Sequence, residues 1–330
     1  MRVFVTGAPG LLGSHAAALL RARGHAVVAL VRASSDTGFL TSIGCSLAQG
    51  DVRDDPAALA RAMEGCTHLV HGAALVYAGD SWSAVQAVNV TGTRNVLEGA
   101  VRAGVSHAVH ISSVAVYGTV DGPVDEAAPI DTLLPERDHY ARSKRDAEAE
   151  ARAVEAGSAL TVAVLRPSAV YGERDRLFAP NVADMTRWPV AFVLGAGHNA
   201  VPAVYAGNVA EAVLLALESG RGRATWDVGL DHPTTQRALL SGIASGMGRS
   251  PRLVSIPAGL VRVGADVLER LGVSTPGAEH LPLGRAARLS LGQNPYPSRA
   301  IRSELGWDPS HRPDEALART GRWLATSRTN

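Results

Sequence analysis

The chain has 330 residues, of which 46% are hydrophobic and 19% are charged, and its formal net charge at pH 7 is +1. This composition can build a large core, but it offers no excess of positive charge to follow a phosphate backbone, so nucleic acid is excluded as an expected partner. Arg, Gly or Pro interrupts every apolar run before it reaches membrane-spanning length, and we therefore expect no membrane segment.

The two cysteines, Cys45 and Cys66, lie in neither a CxxC motif nor a Cys/His spacing that is typical of metal sites. Disulfides and a bound metal are therefore not expected, and this cysteine usage is typical of a reducing compartment. The first predicted strand begins next to Met1, which leaves no room for a targeting peptide. We expect a cytoplasmic protein.

Strand and helix patterns alternate through the first half of the chain. Nearly continuous apolar strands that alternate with helices are typical of a parallel sheet buried on both faces. The sequence therefore predicts an α/β fold with a Rossmann-type, doubly wound parallel sheet. Strands are predicted at 2–6, 25–31, 46–52 and 68–74, from residue 107 onward, and at 160–167. Helices are predicted at 11–24, 54–65, 83–104 and about 140–156.

The alternating pattern stops after Gly172, and residues 176–195 form an aromatic-rich, irregular segment. A helix at 208–220 and a strand at 224–229 are predicted to return to the sheet. A smaller, mainly helical region is predicted to follow. We expect two interleaved domains, an NADP-binding domain at 1–172 and about 203–230 and a substrate-binding domain at 173–202 and 231–330.

A glycine-rich turn, TGAPGLLG, follows the first strand and opens the first helix. Glycines permit a tight turn and let the backbone approach a pyrophosphate, while the N-terminus of the following helix favours that anion. The position between strand and helix is the one that a dinucleotide motif requires, although the spacing is GxxGxxG. The predicted cofactor loop consists of Gly7, Ala8, Pro9, Gly10, Leu11, Leu12 and Gly13.

Arg32 stands at the end of the second predicted strand, where NAD-binding proteins carry an acidic residue. An arginine cannot accept a hydrogen bond from a ribose 2′-hydroxyl, but it can pair with a 2′-phosphate. Ser34 and Ser35 are able to assist it, and Asp36 is a rival acid that lies beyond the strand end. We therefore predict NADP(H) as the cofactor, with NAD(H) as the alternative.

Asp51 and Val52 end the third predicted strand, where the adenine of the cofactor would lie. The Asp51 carboxylate is able to accept a hydrogen bond from the adenine amino group. The alternative is that Asp51 caps the following helix. We favour the cofactor contact for both residues.

The stretch YARSK at 140–144 contains the one lysine of a chain that has 31 arginines. Tyr140 and Lys144 are four residues apart on a predicted helix, so both point to one face. An adjacent ammonium favours the phenolate and moves the tyrosine pKa of about 10 toward neutral pH. A compact ammonium also holds ribose hydroxyls, a place that a planar guanidinium fits badly. We predict Tyr140 as a catalytic acid/base and Lys144 as its activator.

Ser113 follows the fifth predicted strand, at the edge of the sheet where ligands bind. Its hydroxyl is able to hydrogen-bond a substrate carbonyl oxygen. Ser112 competes for this role, because side chains alternate along a strand and only one of the two faces the site. Asn89 completes the candidate catalytic set, although an ordinary, satisfied helical amide is an equal alternative for it.

Seven motifs in order, TGAPGLLG, GDV, HGAA, NVTGT, SSVAVYG, YARSK and LRPSAVYG, resemble those of the extended short-chain dehydrogenase/reductases over most of residues 1–230. The resemblance implies a Rossmann-like domain, a smaller C-terminal substrate domain and the roles given above for Ser113, Tyr140 and Lys144. It also implies a homodimer formed through helices 83–104 and 140–156. The further cofactor contacts that it implies are Gly72, Ala73, Ala74, Pro167, Ala169 and Val170.

Two departures from the family pattern narrow the expected substrate. Sugar-nucleotide epimerases and dehydratases usually carry an Asn where this chain has Ala169, and often an Arg where it has Val201. Losing both anion-binding groups makes a nucleotide diphosphate a poor ligand. The segments RPSAVYG and VYAGNVA resemble instead the 3β-hydroxysteroid dehydrogenase and dihydroflavonol reductase branches, which act on largely apolar alcohols and ketones.

We therefore expect an NADP(H)-dependent oxidoreductase that transfers a hydride between nicotinamide and a secondary alcohol or ketone of a largely apolar small molecule. The alternative is a sugar-nucleotide epimerase or dehydratase with tightly bound NAD(P). Apolar side chains would line the substrate pocket, with about half of the candidates being ordinary core residues. The candidates are Leu75, Val76, Tyr77, Val114, Phe178, Met185, Trp188 and Phe192.

Overall fold

A computed structural model describes residues 1–76, 81–118, 120, 122–130, 134, 138–270 and 291–327. Within these residues, strands β1 to β11 span Arg2–Thr6, Ala26–Val31, Ser46–Gln49, His68–His71, His107–Ile111, Thr161–Pro167, Ala169–Tyr171, Val190–Leu194, Ala203–Tyr205, Thr225–Val228 and Arg252–Ile256. Helices α1 to α12 span Leu11–Ala22, Gly38–Ser42, Pro56–Ala62, Trp82–Gln86, Gly92–Arg102, His139–Ala156, Phe178–Met185, Ala206–Ser219, Gln236–Gly246, Ala258–Arg270, Arg299–Leu305 and Pro313–Ser327.

Seven parallel strands form the central sheet, in the order β10-β6-β5-β4-β1-β2-β3. The chain builds the sheet outward from β1 in one direction through β3 and then returns to add β4, β5 and β6 on the other side. The order reverses between β1 and β4, and ligands of such sheets bind at the carboxyl ends of the strands at this switch point. The doubly wound α/β fold predicted from the sequence is confirmed.

Both faces of the sheet are buried except at the edge strand β3, which explains why the inner strands are largely apolar. In β1, Val3 and Val5 face one core cluster and Phe4 faces the other, and all three are fully buried. Helices α1 and α8 cover the first face, and α3, α5 and α6 cover the second. The sheet is therefore rigid beneath the loops that leave its carboxyl edge.

The segment 176–195, predicted to be irregular, instead contains α7 and β8. Ala179, Val182 and Ala183 of α7 pack into a third core cluster with residues of α9 and α12. β8 pairs with β11, a strand inside the region that was predicted to be mainly helical. Packing against distant parts of the chain orders this segment, and the local sequence pattern does not show it.

The predicted division into two domains stays a prediction. β10 joins the sheet beside β6, as expected for the returning strand at 224–229. β7 pairs with β9 in a separate two-stranded sheet. No helix in the described ranges has both the length and the apolar character that crossing a membrane requires.

Helices α9 and α12 approach each other so closely that their contact requires glycine. A Cβ added to Gly321 would lie 2.2 Å from the carbonyl oxygen of Ile243, and one added to Gly246 would lie 2.2 Å from that of Ala318. Neither backbone can move without separating the helices. The pair therefore anchors the C-terminal helix to the rest of the molecule.

We expect Gly321→Ala to lower the free energy of unfolding by about 1–3 kcal/mol, because overpacking forces the two helices apart. Gly259→Ala is the matched control, since Gly259 lies in α10 with open space around its Cα and alanine favours a helix by about 0.8–1 kcal/mol. Urea unfolding measures both. Equal midpoints for the two variants would contradict the close packing.

Candidate active site

The glycine turn between β1 and α1 forms a cradle that side chains would fill. Gly7 has a φ of 68°, and a Cβ there would lie 2.7 Å from the amide nitrogen of Ala73. A Cβ on Gly13 would lie 2.2 Å from the carbonyl oxygen of Gly7. α1 carries no acidic residue in its first turn and no side-chain cap at Gly10, so its N-terminus suits the pyrophosphate of a dinucleotide.

The turn after β2 holds Arg32 at the surface. The Arg32 amide donates to Ser35 Oγ at 3.1 Å, and the Ser35 amide donates to the Arg32 carbonyl oxygen at 2.9 Å. Asp36, the rival acid, accepts a hydrogen bond from the Gly38 amide at 3.1 Å. The Arg32 guanidinium and the Asp36 carboxylate are both exposed, so this turn offers a cation and an acid to the ribose of a dinucleotide.

Asp51 does not cap the next helix, so that alternative is wrong. Asp55 caps α3 instead, accepting hydrogen bonds from the amides of Ala57 and Ala58 at 2.9 and 3.0 Å. The Asp51 carboxylate is held by the Arg53 guanidinium at 2.9 Å. Its pKa lies below the usual value, chiefly through this hydrogen bond and also through the charge of Arg32.

Tyr140 and Lys144 lie on one face of α6, as predicted. Lys144 is 4% exposed, and its Nζ donates to the carbonyl oxygen of Ile111 at 2.7 Å and lies 5.9 Å from the Tyr140 ring centroid. Ser113 hydrogen-bonds the side chain of Tyr140. Ser112 points elsewhere, with its Oγ buried and without a hydrogen-bond partner. The structure thus brings Ser113, Tyr140 and Lys144 together at the carboxyl end of β5.

The protonation of this group differs from the sequence-based expectation. Burial raises the pKa of Tyr140 to about 12, the hydrogen bond with Ser113 opposes this, and Asp138 adds to it. Burial lowers the pKa of Lys144 to about 8, and Glu148 opposes this. The expected lowering of the Tyr140 pKa by the ammonium is wrong, because burial raises this pKa and only the hydrogen bond with Ser113 lowers it. Tyr140 is a neutral phenol at pH 7, which is the form that donates a proton.

Asn89 joins two elements of the site. It lies in a π-helical turn, Ala87–Thr91, between α4 and α5, a geometry that often marks functional positions. Its Oδ1 accepts from the Leu75 amide at 2.8 Å, and its Nδ2 donates to the Leu75 carbonyl oxygen at 3.0 Å and to Ser143 Oγ at 2.9 Å. The amide is satisfied, and its partners are the segment after β4 and helix α6.

A buried network behind the site was missed by the sequence analysis. Arg166, at the end of β6, makes a two-pronged ion pair with Glu148 of α6 at 2.9 and 2.6 Å. Arg166 also donates to the Tyr117 hydroxyl at 2.7 Å, and this hydroxyl donates to Asp227 of β10 at 3.0 Å. An arginine inside an apolar strand was the available signal, because a buried charge requires partners.

The remaining predicted residues occupy varied positions. Ala169 is exposed at the start of β7, and the carbonyl oxygen of Pro167 lies 3.5 Å from Ser113 Oγ. Among the candidate pocket walls, Val114 is buried beside Ser113, and Phe178 packs against the third cluster. Tyr77 lies outside the described residues. Val52, Gly72, Ala73, Ala74, Val76 and Val170 are buried or half-buried.

Asp227 should make stability depend on pH. Burial, with Glu126 and then Glu148 adding and Tyr117 and Arg166 opposing, raises its pKa to about 7. The unfolded carboxyl titrates near its ordinary value of about 4, so between these values the folded state binds more protons. The free energy of unfolding contributed by Asp227 therefore falls as the pH rises from about 4 to about 7.

We expect Asp227→Asn to remove this contribution. The free energy of unfolding of the variant, relative to that of the wild type, should therefore be higher at about pH 8 than at about pH 5. Urea unfolding at both pH values measures the difference. The exposed Asp308→Asn is the control and should follow the wild type. Parallel pH dependence in all three proteins would contradict the assignment.

Comparison with known proteins identifies the family. The profile of the NAD dependent epimerase/dehydratase family matches residues 3–229. A "4-hydroxy-2-methyl-3-oxo-4-farnesyl-3,4-dihydroquinoline-1-oxide ketoreductase" of Stigmatella aurantiaca is 31% identical over 93% of this chain and 92% of its own. A "2-alkyl-3-oxoalkanoate reductase" of Stenotrophomonas maltophilia is 29% identical over 97% of this chain and 98% of its own.

Solved structures support the same assignment. The DesIV dTDP-glucose 4,6-dehydratase of Streptomyces venezuelae, with NAD and TYD bound, is 26% identical, has a TM-score of 0.75, and matches 100% of this chain and 98% of its own. The resemblance to the extended short-chain dehydrogenase/reductases is confirmed. The glycine cradle and the group Ser113, Tyr140 and Lys144 fit a nicotinamide dinucleotide. The chain belongs to the NAD-dependent epimerase/dehydratase family and is an NAD(P)-dependent oxidoreductase.

Proposed function

We propose that the protein is an NADPH-dependent reductase of a largely apolar ketone. The observation that carries the proposal is the hydrogen bond between Ser113 and a neutral Tyr140 beside Lys144. The Ser113 hydroxyl holds the carbonyl oxygen of the substrate, and Tyr140 donates the proton that this oxygen gains. When bound, the cofactor supplies the hydride. Lys144 anchors the ribose through its ammonium and stabilises the phenolate that Tyr140 becomes.

The proposed substrate class rests on the side chain at position 201, on exposed apolar side chains in the segment from α7 to β8, and on two relatives. Val201 stands where an epimerase often carries its diphosphate-binding arginine, and it is 8% exposed within the third core cluster. Met185, Trp188 and Phe192, which lie within eight residues of one another, expose 53, 62 and 54% of their surfaces, and a group of exposed apolar side chains is a candidate binding surface for an apolar ligand. The reductase names of the two relatives with nearly full coverage also favour a ketone.

A sugar-nucleotide epimerase or dehydratase is the second candidate, favoured by the likeness to the dTDP-glucose dehydratase. Such an enzyme would use the same Tyr140 and Lys144. Its cofactor would be regenerated in each cycle, whereas a reductase consumes one NADPH for each ketone. The buried Val201 and the exposed methyl group of Ala169 disfavour this candidate, because neither side chain can bind a diphosphate.

The test follows NADPH absorbance while the protein meets a panel of apolar ketones and β-keto acids. We expect stoichiometric NADPH loss with at least one member, and faster turnover with NADPH than with NADH. Loss of no NADPH across the panel, together with turnover of a nucleotide sugar without cofactor release, would establish the second candidate instead.

Tyr140→Phe should lower kcat about a hundredfold or more, because the proton donor is lost, while the Kd of NADPH changes little. Lys144→Arg should also fail, because the buried ammonium fits against the Ile111 carbonyl and a planar guanidinium does not. Steady-state kinetics and nucleotide titrations measure both. Near-wild-type turnover by Tyr140→Phe would rule out the mechanism.

We also propose a homodimer formed through α4, α5 and α6. The resemblance to dimeric relatives supports it, and the three helices pack beside one another. Light scattering should give a solution mass of twice that of one chain. The mass of one chain at micromolar concentration would overturn this proposal.

A further inference from the structure

A cavity of about 250 Å³ opens beside the glycine turn. Pro9 of that turn forms one side, and Asp36 and Phe39, from the segment that follows Arg32, form another. Arg174 and Arg176, which follow β7, complete it. The cavity therefore lies between the dinucleotide loop and the turn that meets the adenosine ribose, and two guanidinium groups from a distant part of the chain line it.

The Arg174 guanidinium is fixed in place. Its Nε donates to Ser14 Oγ at 2.7 Å, and its second amine donates to His15 Nδ1 at 3.2 Å. It also stacks over the Phe39 ring, 3.9 Å from the centroid. The Arg174 backbone has a φ of 70°, which costs a non-glycine residue about 1 kcal/mol or more. Packing thus holds this side chain toward the glycine turn against a backbone preference.

Two guanidinium groups and one carboxylate, that of Asp36, line the cavity, so positive charge is in excess there. Glu173, the nearest acid in sequence, pairs with Arg319 at 2.7 Å and also accepts from Tyr205 at 2.7 Å. Within the described part of the chain, neither Arg174 nor Arg176 has a carboxylate within ion-pair distance. Two guanidinium groups that make no such ion pair can bind an anionic ligand.

Arg32 stands in the turn that leads to Asp36 and Phe39, the two residues that form one side of the cavity. The pKa of the Asp51 carboxyl is lowered chiefly by Arg53, and the charge of Arg32 lowers it further. Arg174 lies toward α1. A phosphate on the ribose at the end of β2 would lie between these two cations, and at neutral pH such a monoester carries nearly two negative charges.

We infer that Arg174, assisted by Arg176, is a specificity-determining residue that binds the 2′-phosphate of NADP(H) opposite Arg32. The inference rests on the proposed function in that a nicotinamide dinucleotide occupies the glycine turn. The preference for the phosphorylated cofactor would then depend on the segment after β7, about 140 residues beyond the turn after β2 that usually determines it. Arg32 alone is then insufficient for the preference.

The test compares adenosine 2′,5′-bisphosphate with adenosine 5′-monophosphate, which differ only by the 2′-phosphate. Calorimetry gives the Kd of each for the wild type and for Arg174→Gln, which keeps hydrogen-bonding capacity without charge. We expect the wild type to prefer the bisphosphate and Arg174→Gln to lose about tenfold or more of that preference. The Kd of the monophosphate should change less than about twofold. Arg176→Gln should show a smaller loss.

Arg221→Gln is the matched control, because Arg221 is an exposed arginine that pairs with Glu304, next to β10. It should leave both affinities unchanged. An unchanged preference in Arg174→Gln, or an equal loss for both nucleotides, would overturn the inference. If the wild type still reduces ketones in that case, the proposed function stands without it. If the wild type binds neither nucleotide, both the inference and the proposed function are wrong.

Discussion

The buried ion pair between Arg166 and Glu148 is the interaction on which the site depends most. Removing two charges from water costs several kcal/mol for each ion, and only good geometry with further hydrogen bonds offsets this. Here both prongs are short, and the Tyr117 hydroxyl takes a third hydrogen bond from the guanidinium. The pair locks one turn of α6 onto the end of β6.

The two preceding turns of α6 also depend on this ion pair for their position. Tyr140, Lys144 and Glu148 are spaced four residues apart, so they form a single row along α6. Glu148 is fixed to the sheet through Arg166, Lys144 through the Ile111 carbonyl, and Tyr140 through Ser113. Each contact ends on a different segment at the carboxyl edge of the sheet. These three contacts hold α6 in place and thereby fix the position of the Tyr140 phenol.

Two histidines of the sheet, one in β4 and one in β5, lie near Lys144. His71 and His110 stack 5.3 Å apart, and burial, with Lys144 adding, lowers the pKa of His71 to about 3. Thr6 and Thr93 satisfy both ring nitrogens of His71. Neutral imidazoles add no repulsion to the buried Lys144 ammonium.

Local spacing made part of this structure predictable. The turn around Gly7, the pair Tyr140 and Lys144, and the parallel sheet follow from patterns of a few residues. The order of α7 and β8 does not, because it depends on packing from α9 and α12. The pKa of Tyr140 was given the wrong direction, since burial cannot be known from a neighbouring lysine. Arg174 was missed because its partners Ser14 and Phe39 lie far back in the chain.

The ion pair of Arg319 with Glu173 gives the last helix a connection to the first. Glu173 also lies 3.4 Å from His15 of α1, and Arg319 is 146 residues further along the chain. A substitution of Arg319 in the C-terminal helix would therefore affect α1 through two side chains, those of Glu173 and His15. A substitution or truncation in the C-terminal helix would thus disturb α1, the helix that follows the glycine turn, and the resulting defect would resemble damage to the turn itself.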